Sequence, residues 1–483
     1  MEGRSRVSRT LATLAAASLS ASAFVALSAV LAVPVSATAS SYQVFVAGTD
    51  SSNGEAAVKV ITMPAGTPDT IDLGSGTGVA YGVAVNGSGT QAFATVGYDC
   101  DESCDSYEVV PIAGPFTFTS EGAFNGTVGS PILTDATTGG IEGSNFELDS
   151  GIVTSGDVVA VANEAYPNSG VYLFNDTYPS SEQGSAALPD YADLPFNPQA
   201  ITANAAGLVA VAAEGEYFSD GPSDVTCGTS GAGEVGPGCV WTFNVSPLTN
   251  NPTVTTAVLD IAGSHVDCNP SPDTGEDNNC YTVQVGLQGI VISPENGDIY
   301  VTDNSNKGVW QINPSYTTAD VVGFQYLADA EYLEAITING AGNTLYLSNG
   351  TDPFALEVAL SDDTVASDAD TTSTNLTGSD TGGTWQIGIG LSPDGSEALV
   401  LDGDNGESSG GTSYVDEIAT DAFTAATFGQ YDPPVGATAI YVAAATIPVP
   451  TTGTSLPLAL AVALFAAGVM TLGGALVRRR RLV

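Results

Sequence analysis

Histidine and basic residues are scarce in this chain. It has a single histidine, His265, and only 9 lysines and arginines against 54 acidic residues, for a formal net charge of -45. Seven of the basic residues are arginines of the two terminal segments, which leaves Lys59 and Lys307 for residues 40–446. Because almost nothing there could neutralise phosphates, nucleic acid is excluded as a partner. Divalent cations, basic partners or plain solvation are the natural complements of such acidity.

The shortage of histidine also argues against a serine hydrolase. Residues 406–410 match the G-x-S-x-G pattern, but they lie in a polar loop after a strand, with no helix to form a nucleophile elbow. His265 is the only available base and stands in a cysteine-bounded loop. We therefore assign no catalytic residues from the sequence.

Long helical periodicity is absent between residues 42 and 445, and we predict an all-β fold. A short unit recurs there: a β-rich apolar strand, a turn containing glycine, and a second apolar strand. Glycine supplies the positive φ that such turns require. The copies begin at Val83, Ile152, Ile201, Ile290, Ile336 and Ile387.

The spacing of the copies, about 45 to 55 residues with two wider gaps, is typical of four-stranded β-propeller blades. The strand at Ala437–Ala443 lacks following strands, and the strand at Tyr42–Val46 lacks a preceding inner one. Joining them would complete a further blade from both termini, for about seven blades in all. A string of Ig-like sandwiches is the alternative architecture.

Two of the copies carry a family resemblance. The segment Ser293–Asp303 and the segment Leu391–Gly395 resemble the YVTN-type propeller family and the wider group of lactonase-like propellers. The resemblance implies the fold more firmly than an activity. Lactonase-like propellers place metal-binding carboxylates and amides around a central channel, but no residue here can be matched to them individually.

The N-terminal segment has the pattern of a secretory signal peptide. Three arginines precede an apolar run, which ends in the small residues Ala37-Thr38-Ala39. We predict a signal peptide over residues 1–39 and an ectodomain over residues 40–446. The alternative is a retained N-terminal membrane anchor.

The C-terminal segment predicts an anchor. Residues 456–477 carry no charge and, as a helix, would reach roughly 33 Å, enough to span a bilayer core. The basic tail 478–483 would then be cytoplasmic and the ectodomain extracellular. The linker 447–455 contains Val449, Pro450, Thr451, Thr452 and Gly453, which resemble a Leu-Pro-x-Thr-Gly sorting signal with valine in place of leucine. The resemblance implies sortase cleavage after Thr452 and attachment to peptidoglycan.

Six cysteines all fall in the predicted ectodomain, where export permits disulfides. They form three close pairs along the chain, and we predict these pairings as loop staples: Cys100 with Cys104, Cys227 with Cys239, and Cys268 with Cys280. Zinc is disfavoured because no C-x-x-C pair is present.

Two acidic clusters could bind Ca²⁺, which takes six to eight oxygen ligands. Asp101 and Glu102 lie between Cys100 and Cys104, and Asp402 and Asp404 follow a strand. Neither cluster has EF-hand spacing, and a solvated acidic turn is the alternative. No other cofactor is predicted.

The sequence thus predicts a propeller anchored to the membrane or cell wall that acts in binding or surface display without catalysis. Two alternatives remain: a metal-dependent, lactonase-like surface hydrolase and a structural coat protein. The extracellular ligand is not specified.

Overall fold

The computed structural model contains only β-structure in the residues that it describes, which confirms the all-β prediction. All of them belong to one compact unit, Met1–Ala445. The described residues are 42–50, 52–63, 69–98, 106–114, 126–134, 148, 151–163, 170–176, 190–193, 198–213, 238–246, 248, 252–259, 266–267, 281–282, 285–315, 318–327, 330, 332–349, 354–360, 371–375, 384–404, 414–420 and 435–444.

The strands follow one another in short hairpins along the chain. The first fifteen are β1 (Tyr42–Thr49), β2 (Glu55–Met63), β3 (Asp69–Val85), β4 (Gln91–Tyr98), β5 (Ser106–Ala113), β6 (Thr127–Val128), β7 (Leu133–Thr134), β8 (Ile152–Ser155), β9 (Val158–Asn163), β10 (Gly170–Asn175), β11 (Asp190–Asp193), β12 (Pro198–Ala203), β13 (Leu208–Ala213), β14 (Gly238–Asn244) and β15 (Thr255–Leu259). The others are β16 (Val266–Asp267), β17 (Tyr281–Thr282), β18 (Leu287–Ile292), β19 (Ile299–Asp303), β20 (Gly308–Ser315), β21 (Thr318–Tyr326), β22 (Leu333–Ile338), β23 (Thr344–Asn349), β24 (Phe354–Ala359), β25 (Thr371–Asn375), β26 (Thr384–Leu391), β27 (Glu397–Asp404), β28 (Tyr414–Ala419) and β29 (Val435–Ala444).

These strands form consecutive antiparallel sheets, which we number along the chain. Sheet 1 is β29-β1-β2 with the first part of β3, and sheet 2 is the second part of β3 with β4, β5, β6 and β7. Sheets 3 and 4 are β8 to β11 and β12 to β15. Sheets 5, 6 and 7 are β18 to β21, β22 to β25, and β26 to β28. A small hairpin, β16-β17, stands between sheets 4 and 5 in the chain.

The two ends of the described chain meet in sheet 1. Strand β1 pairs antiparallel with β29, with Val44 opposite Val442 and Phe45 opposite Tyr441, as the sequence predicted. The phenol of Tyr42 also donates a hydrogen bond to Glu397 Oε2 at 2.5 Å, which ties β1 to sheet 7. The first and last strands therefore complete one sheet together.

The hydrophobic core lies between the sheets rather than within one of them. Each pair of neighbouring sheets encloses one cluster of buried apolar side chains, and the pair formed by sheets 7 and 1 is included. The innermost strands contact one another in the same cyclic order: β3, β8, β12, β18, β22, β26, β29 and again β3. The sheets themselves remain open, and side-chain packing joins them.

Every predicted turn between the two strands of a repeat contains a glycine with positive φ. The values run from 62° at Gly156 to 98° at Gly207. The remaining four are Gly89, Gly297, Gly342 and Gly395. A side chain at these φ values would be strained, so the recurrence of glycine has a backbone cause.

Several predictions fall on residues outside the described ranges. The signal peptide 1–39, the sorting motif 449–453, the segment 456–477 and the basic tail 478–483 are among them. No helix in the described part of the chain has the length and apolar character to cross a membrane. These predictions stay predictions.

Candidate functional site

A bulge recurs on the innermost strands. The pairing between the first and second strand of sheets 2, 4, 5, 6 and 7 shifts register at the corresponding place in each sheet. Bulges re-aim side chains and are common beside active sites. The residues inserted at the shift are Tyr81, Gln199, Gln288, Glu334 and Ile387, and we name the first four the bulge ring.

Side-chain hydroxyls of the second strand hold the bulge in sheets 5 and 6. Thr302 Oγ1 accepts a hydrogen bond from the Gly289 amide at 2.7 Å, and Ser348 Oγ accepts one from the Ala335 amide at 2.9 Å. A bulge leaves an amide without its ladder partner, and the hydroxyl replaces that partner. The bulges are therefore built by specific residues.

The residue after each bulge position is small because the next innermost strand packs directly against it. A Cβ at Gly289 would lie 2.5 Å from the Glu334 carbonyl oxygen and 2.9 Å from Ala335 Cα. A Cβ at Gly388 would lie 2.8 Å from Ile440 Cγ2. The bulges of sheets 5 and 6 are thus in backbone contact, which brings the positions of Gln288 and Glu334 side by side.

Glu334 has the most distinctive electrostatics of the bulge ring. Its side chain is half-buried, and loss of water contact raises the pKa of its carboxyl to about 7. No lysine or arginine is among the causes of this pKa. A carboxyl that titrates near neutral pH can both accept and release a proton under physiological conditions.

The three other members of the bulge ring are polar and half-buried. Each of Tyr81, Gln199 and Gln288 has polar or aromatic contacts of its own within the fold. Amides and a phenol offer both donors and acceptors, and they carry no charge at neutral pH. This composition suits a ligand rich in hydroxyl and carbonyl groups.

A second recurring feature is an Asp or Asn on the second strand, at the position directly beyond the bulge. Asp303, Asn349 and Asp402 hold the same register position, opposite Leu287, Leu333 and Gln386. Asp303 Oδ1 accepts hydrogen bonds from the Gly286 and Asn306 amides, and Asn349 Oδ1 accepts one from the Tyr332 amide.

This position fastens a loop in the two sheets where its side chain is described. Burial raises the pKa of Asp303, while bonds from Trp310, Asn306 and Gly286 oppose that rise. Asp402 holds the same register position, so loop attachment of the kind seen at Asp303 and Asn349 is an alternative to its predicted Ca²⁺ binding. Asp404 follows at the end of β27.

The other predicted site residues are mostly outside the described ranges. Asp101 and Glu102 lie there, as do Cys100, Cys104, Cys227, Cys268, Cys280, His265 and the G-x-S-x-G segment. Cys239 is buried on β14 and is disulfide-bonded. Among the described residues no group of three or more His, Cys, Asp or Glu side chains could hold a metal ion.

Of the six cysteines in the predicted disulfide pairs, only Cys239 lies within the described ranges, so the three pairings stay predictions.

We expect non-reducing peptide mapping of the full chain to recover three linked pairs: Cys100–Cys104, Cys268–Cys280 and, by remainder, Cys227–Cys239. A crossed product, such as Cys239 joined to Cys268, would show the pairing to be wrong. The same digest after reduction and alkylation is the control.

Sequence reasoning missed the bulge ring, although a weak signal was present. In four copies the first strand contains a polar or aromatic residue directly before glycine or alanine: Tyr81-Gly82, Gln199-Ala200, Gln288-Gly289 and Glu334-Ala335. Polar residues followed by small ones inside an apolar strand indicate a bulge with a close neighbour.

Comparison with solved structures identifies the architecture. A proposed 6-phosphogluconolactonase of Bacteroides uniformis is 10% identical, with a TM-score of 0.50 over 83% of this chain and 99% of that one. The periplasmic gluconolactonase of Pseudomonas aeruginosa is 11% identical, with a TM-score of 0.51 over 84% of this chain and 100% of that one. No family model and no curated protein matches the sequence. At such identities the likeness concerns the fold alone: the chain has the β-propeller fold of lactonase-like proteins.

Proposed function

We propose that this chain is a lactonase-like hydrolase displayed at the cell envelope, with Glu334 as its general base. The observation that carries the proposal is a carboxyl with a pKa of about 7, set at a bulge of an innermost strand that is in backbone contact with the bulge of sheet 5. The two structural relatives bear names of lactone-opening enzymes, and this supports the lactonase alternative over non-catalytic display or a coat.

The proposed reaction is hydrolysis of a cyclic ester. Glu334, as carboxylate, takes a proton from a water molecule, and that water attacks the lactone carbonyl. The ring C–O bond breaks as the proton passes to the leaving alkoxide, which yields a hydroxy acid and restores the carboxylate. The amides of Gln199 and Gln288 and the phenol of Tyr81 would bind the hydroxyl groups of the substrate.

The substrate is proposed to be uncharged. Lys59 and Lys307 are the only lysines or arginines within residues 40–446, so a phosphorylated lactone would approach a strongly negative protein with no lysine or arginine clamp. Lys59 lies on β2 and Lys307 in the turn after β19, neither on an innermost strand. A neutral sugar lactone meets no such barrier.

A metal-dependent form of this chemistry would need oxygen or nitrogen ligands that converge. Among the described residues no group of three or more His, Cys, Asp or Glu side chains could hold a metal ion, and the proposed proton transfer uses Glu334 itself. Envelope anchoring by residues 456–477, and wall attachment through Val449–Gly453, belong to the proposal on sequence grounds alone.

The test is lactone hydrolysis by the full chain and by Glu334→Gln. We expect a neutral aldonolactone to open faster than its spontaneous rate, and Glu334→Gln to lose about 10²- to 10⁴-fold in kcat/KM, the usual contribution of a general base. Proton release in weakly buffered solution reports the rate.

Glu357→Gln is the matched control, because Glu357 is also a half-buried glutamate with a raised pKa but lies on a third strand. It should keep the wild-type rate. No acceleration by the wild-type chain would refute the proposed function, and an active Glu334→Gln variant would refute the role of Glu334.

A further inference from the structure

A carboxyl group is buried without a partner between sheets 6 and 7. Asp416 on β28 is 0% exposed, and neither of its carboxylate oxygens has a hydrogen-bond partner in the described part of the chain. Buried carboxylates are ordinarily paired or hydrogen-bonded, because an isolated charge in an apolar setting is costly. This group therefore stands apart from Asp303, whose two oxygens are both bonded.

The position of Asp416 is apolar in the other sheets where it can be compared. In sheet 7, Asp416 on the third strand pairs with Val400, which is the third residue of the second strand that pairs with the first, counted from the hairpin turn. In sheets 2, 4, 5 and 6 the third-strand residue at the equivalent position is apolar and buried. These residues are Val110, Trp241, Trp310 and Leu356.

The neighbours of Asp416 define the interface in which it lies. Alternation along β28 sets Asp416 on the same face as Ile418, which packs in one cluster with Tyr346 and Ala355 of sheet 6. Tyr346 is also hydrogen-bonded by Thr420, just beyond β28. Asp416 thus belongs to the contact between sheets 6 and 7.

No cation is available to that contact from the strands around it. The titratable groups of the strands in sheets 6 and 7 are all acids or phenols: Glu334 on β22, Tyr346 on β23, Glu357 on β24, Glu397, Asp402 and Asp404 on β27, and Tyr414 and Glu417 on β28 itself. Burial raises the pKa of Asp416 to about 6, with no opposing cause. Ionisation at higher pH would place an uncompensated charge in the interface.

We propose that Asp416 makes the contact between sheets 6 and 7 a pH-sensitive latch, closed while its carboxyl is protonated and loosened when it ionises. A change at this contact would affect more than sheets 6 and 7, because sheet 7 also packs against sheet 1, where β1 and β29 pair. Loosening of this contact would open the cyclic packing of the sheets beside its closure.

Hydrogen exchange of the full chain, followed by mass spectrometry at pH 5 and pH 8, tests the latch. After correction for intrinsic rates, ionisation of Asp416 should make peptides from β23, β24 and β28 open about 10-fold more often at pH 8 than at pH 5 in the wild type. Asp416→Asn, which cannot ionise at this position, should lose this increase of about 10-fold and keep only the pH dependence that other acidic groups contribute.

Two further variants keep the test decisive. Asp416→Leu copies the residue found at the equivalent position of sheet 6 and should also lose that increase, even if the asparagine variant folds poorly. Glu417→Gln changes the adjacent residue of β28 and should retain it. Equal pH dependence in the wild type and both Asp416 variants would overturn the proposal.

Discussion

Replacement of Gly289 by alanine is expected to destabilise the protein by about 3 kcal/mol, at the upper end of the cost of overpacking. The new Cβ would lie 2.5 Å from the Glu334 carbonyl oxygen and 3.0 Å from the Ile336 amide nitrogen. The three nearest atoms are all backbone, so rotation of a side chain cannot relieve the contact. The strands β18 and β22 would have to separate.

Gly323→Ala is the matched control for this prediction. Gly323 is also a strand glycine, on β21, and a Cβ there meets nothing within 4 Å. Its change should stay within about 0.5 kcal/mol, as for other surface substitutions. Urea unfolding of both variants supplies the comparison. A Gly289→Ala variant as stable as Gly323→Ala would show that the two bulges are not in contact.

The same variant should also affect the candidate site. Because the steric contact is with the Glu334 backbone, separation of the strands would displace the proposed base from the bulge ring. We expect lactone hydrolysis to fall even where the variant remains folded, and Gly323→Ala to keep the wild-type rate. Activity measured at a temperature well below both unfolding transitions separates this effect from stability.

The second large effect is a loss of stability as pH rises, opposite to the usual behaviour of proteins whose carboxylates are paired. The pKa of Asp416 is raised from 3.8 to about 6, and that of Glu334 from 4.5 to about 7. In both cases the folded state holds its proton more tightly than the unfolded chain does. At pH values between the unfolded and the folded pKa of each group, the folded state binds more protons than the unfolded chain, so the free energy of unfolding decreases as pH rises.

The pH window follows from those values. The destabilisation is absent below about pH 4, develops as the pH rises through the folded pKa values, and is complete at about pH 8. Each group contributes at most about 3 kcal/mol on the scale of 1.36 kcal/mol per pKa unit. Repulsion within a chain of net charge -45 acts in the same direction.

Thermal unfolding of the full chain from pH 5 to pH 8 measures this effect. The midpoint should fall continuously, and the double variant Asp416→Asn, Glu334→Gln should flatten the curve. Glu357→Gln is a weaker comparison, since burial also raises the pKa of Glu357. A stability maximum at neutral pH in the wild type would contradict the prediction.

The strand pattern was accessible from the sequence because it depends on local physics. Apolar β-branched runs form strands, and a turn with positive φ favours glycine. The glycines Gly89, Gly207 and Gly342, each between two such runs, therefore indicate hairpins from the sequence alone. The closure of β1 on β29 was also predictable, since the two terminal strands each lacked the complement that every internal copy had.

The candidate site depends on contacts between distant parts of the chain. Glu334 looks like an ordinary strand residue until Gly289, 45 positions earlier, is found against its backbone and its carboxyl is found shielded from water. The sequence-based site residues, such as Asp402, were proposed because acidic residues lie close together in the chain, a criterion that does not depend on burial. Burial, which sets pKa, is a property of packing and has no local signature.

The β-class, the repeat, the glycine turns and the meeting of the chain ends follow from local sequence patterns, which also predict export and anchoring. The membership of the bulge ring and the enclosure of Asp416, without a hydrogen-bond partner among the described residues, depend on how the sheets pack. The reason is physical: strand formation and turn geometry are set within a few residues, whereas solvent exclusion is set by whichever sheet packs against the residue.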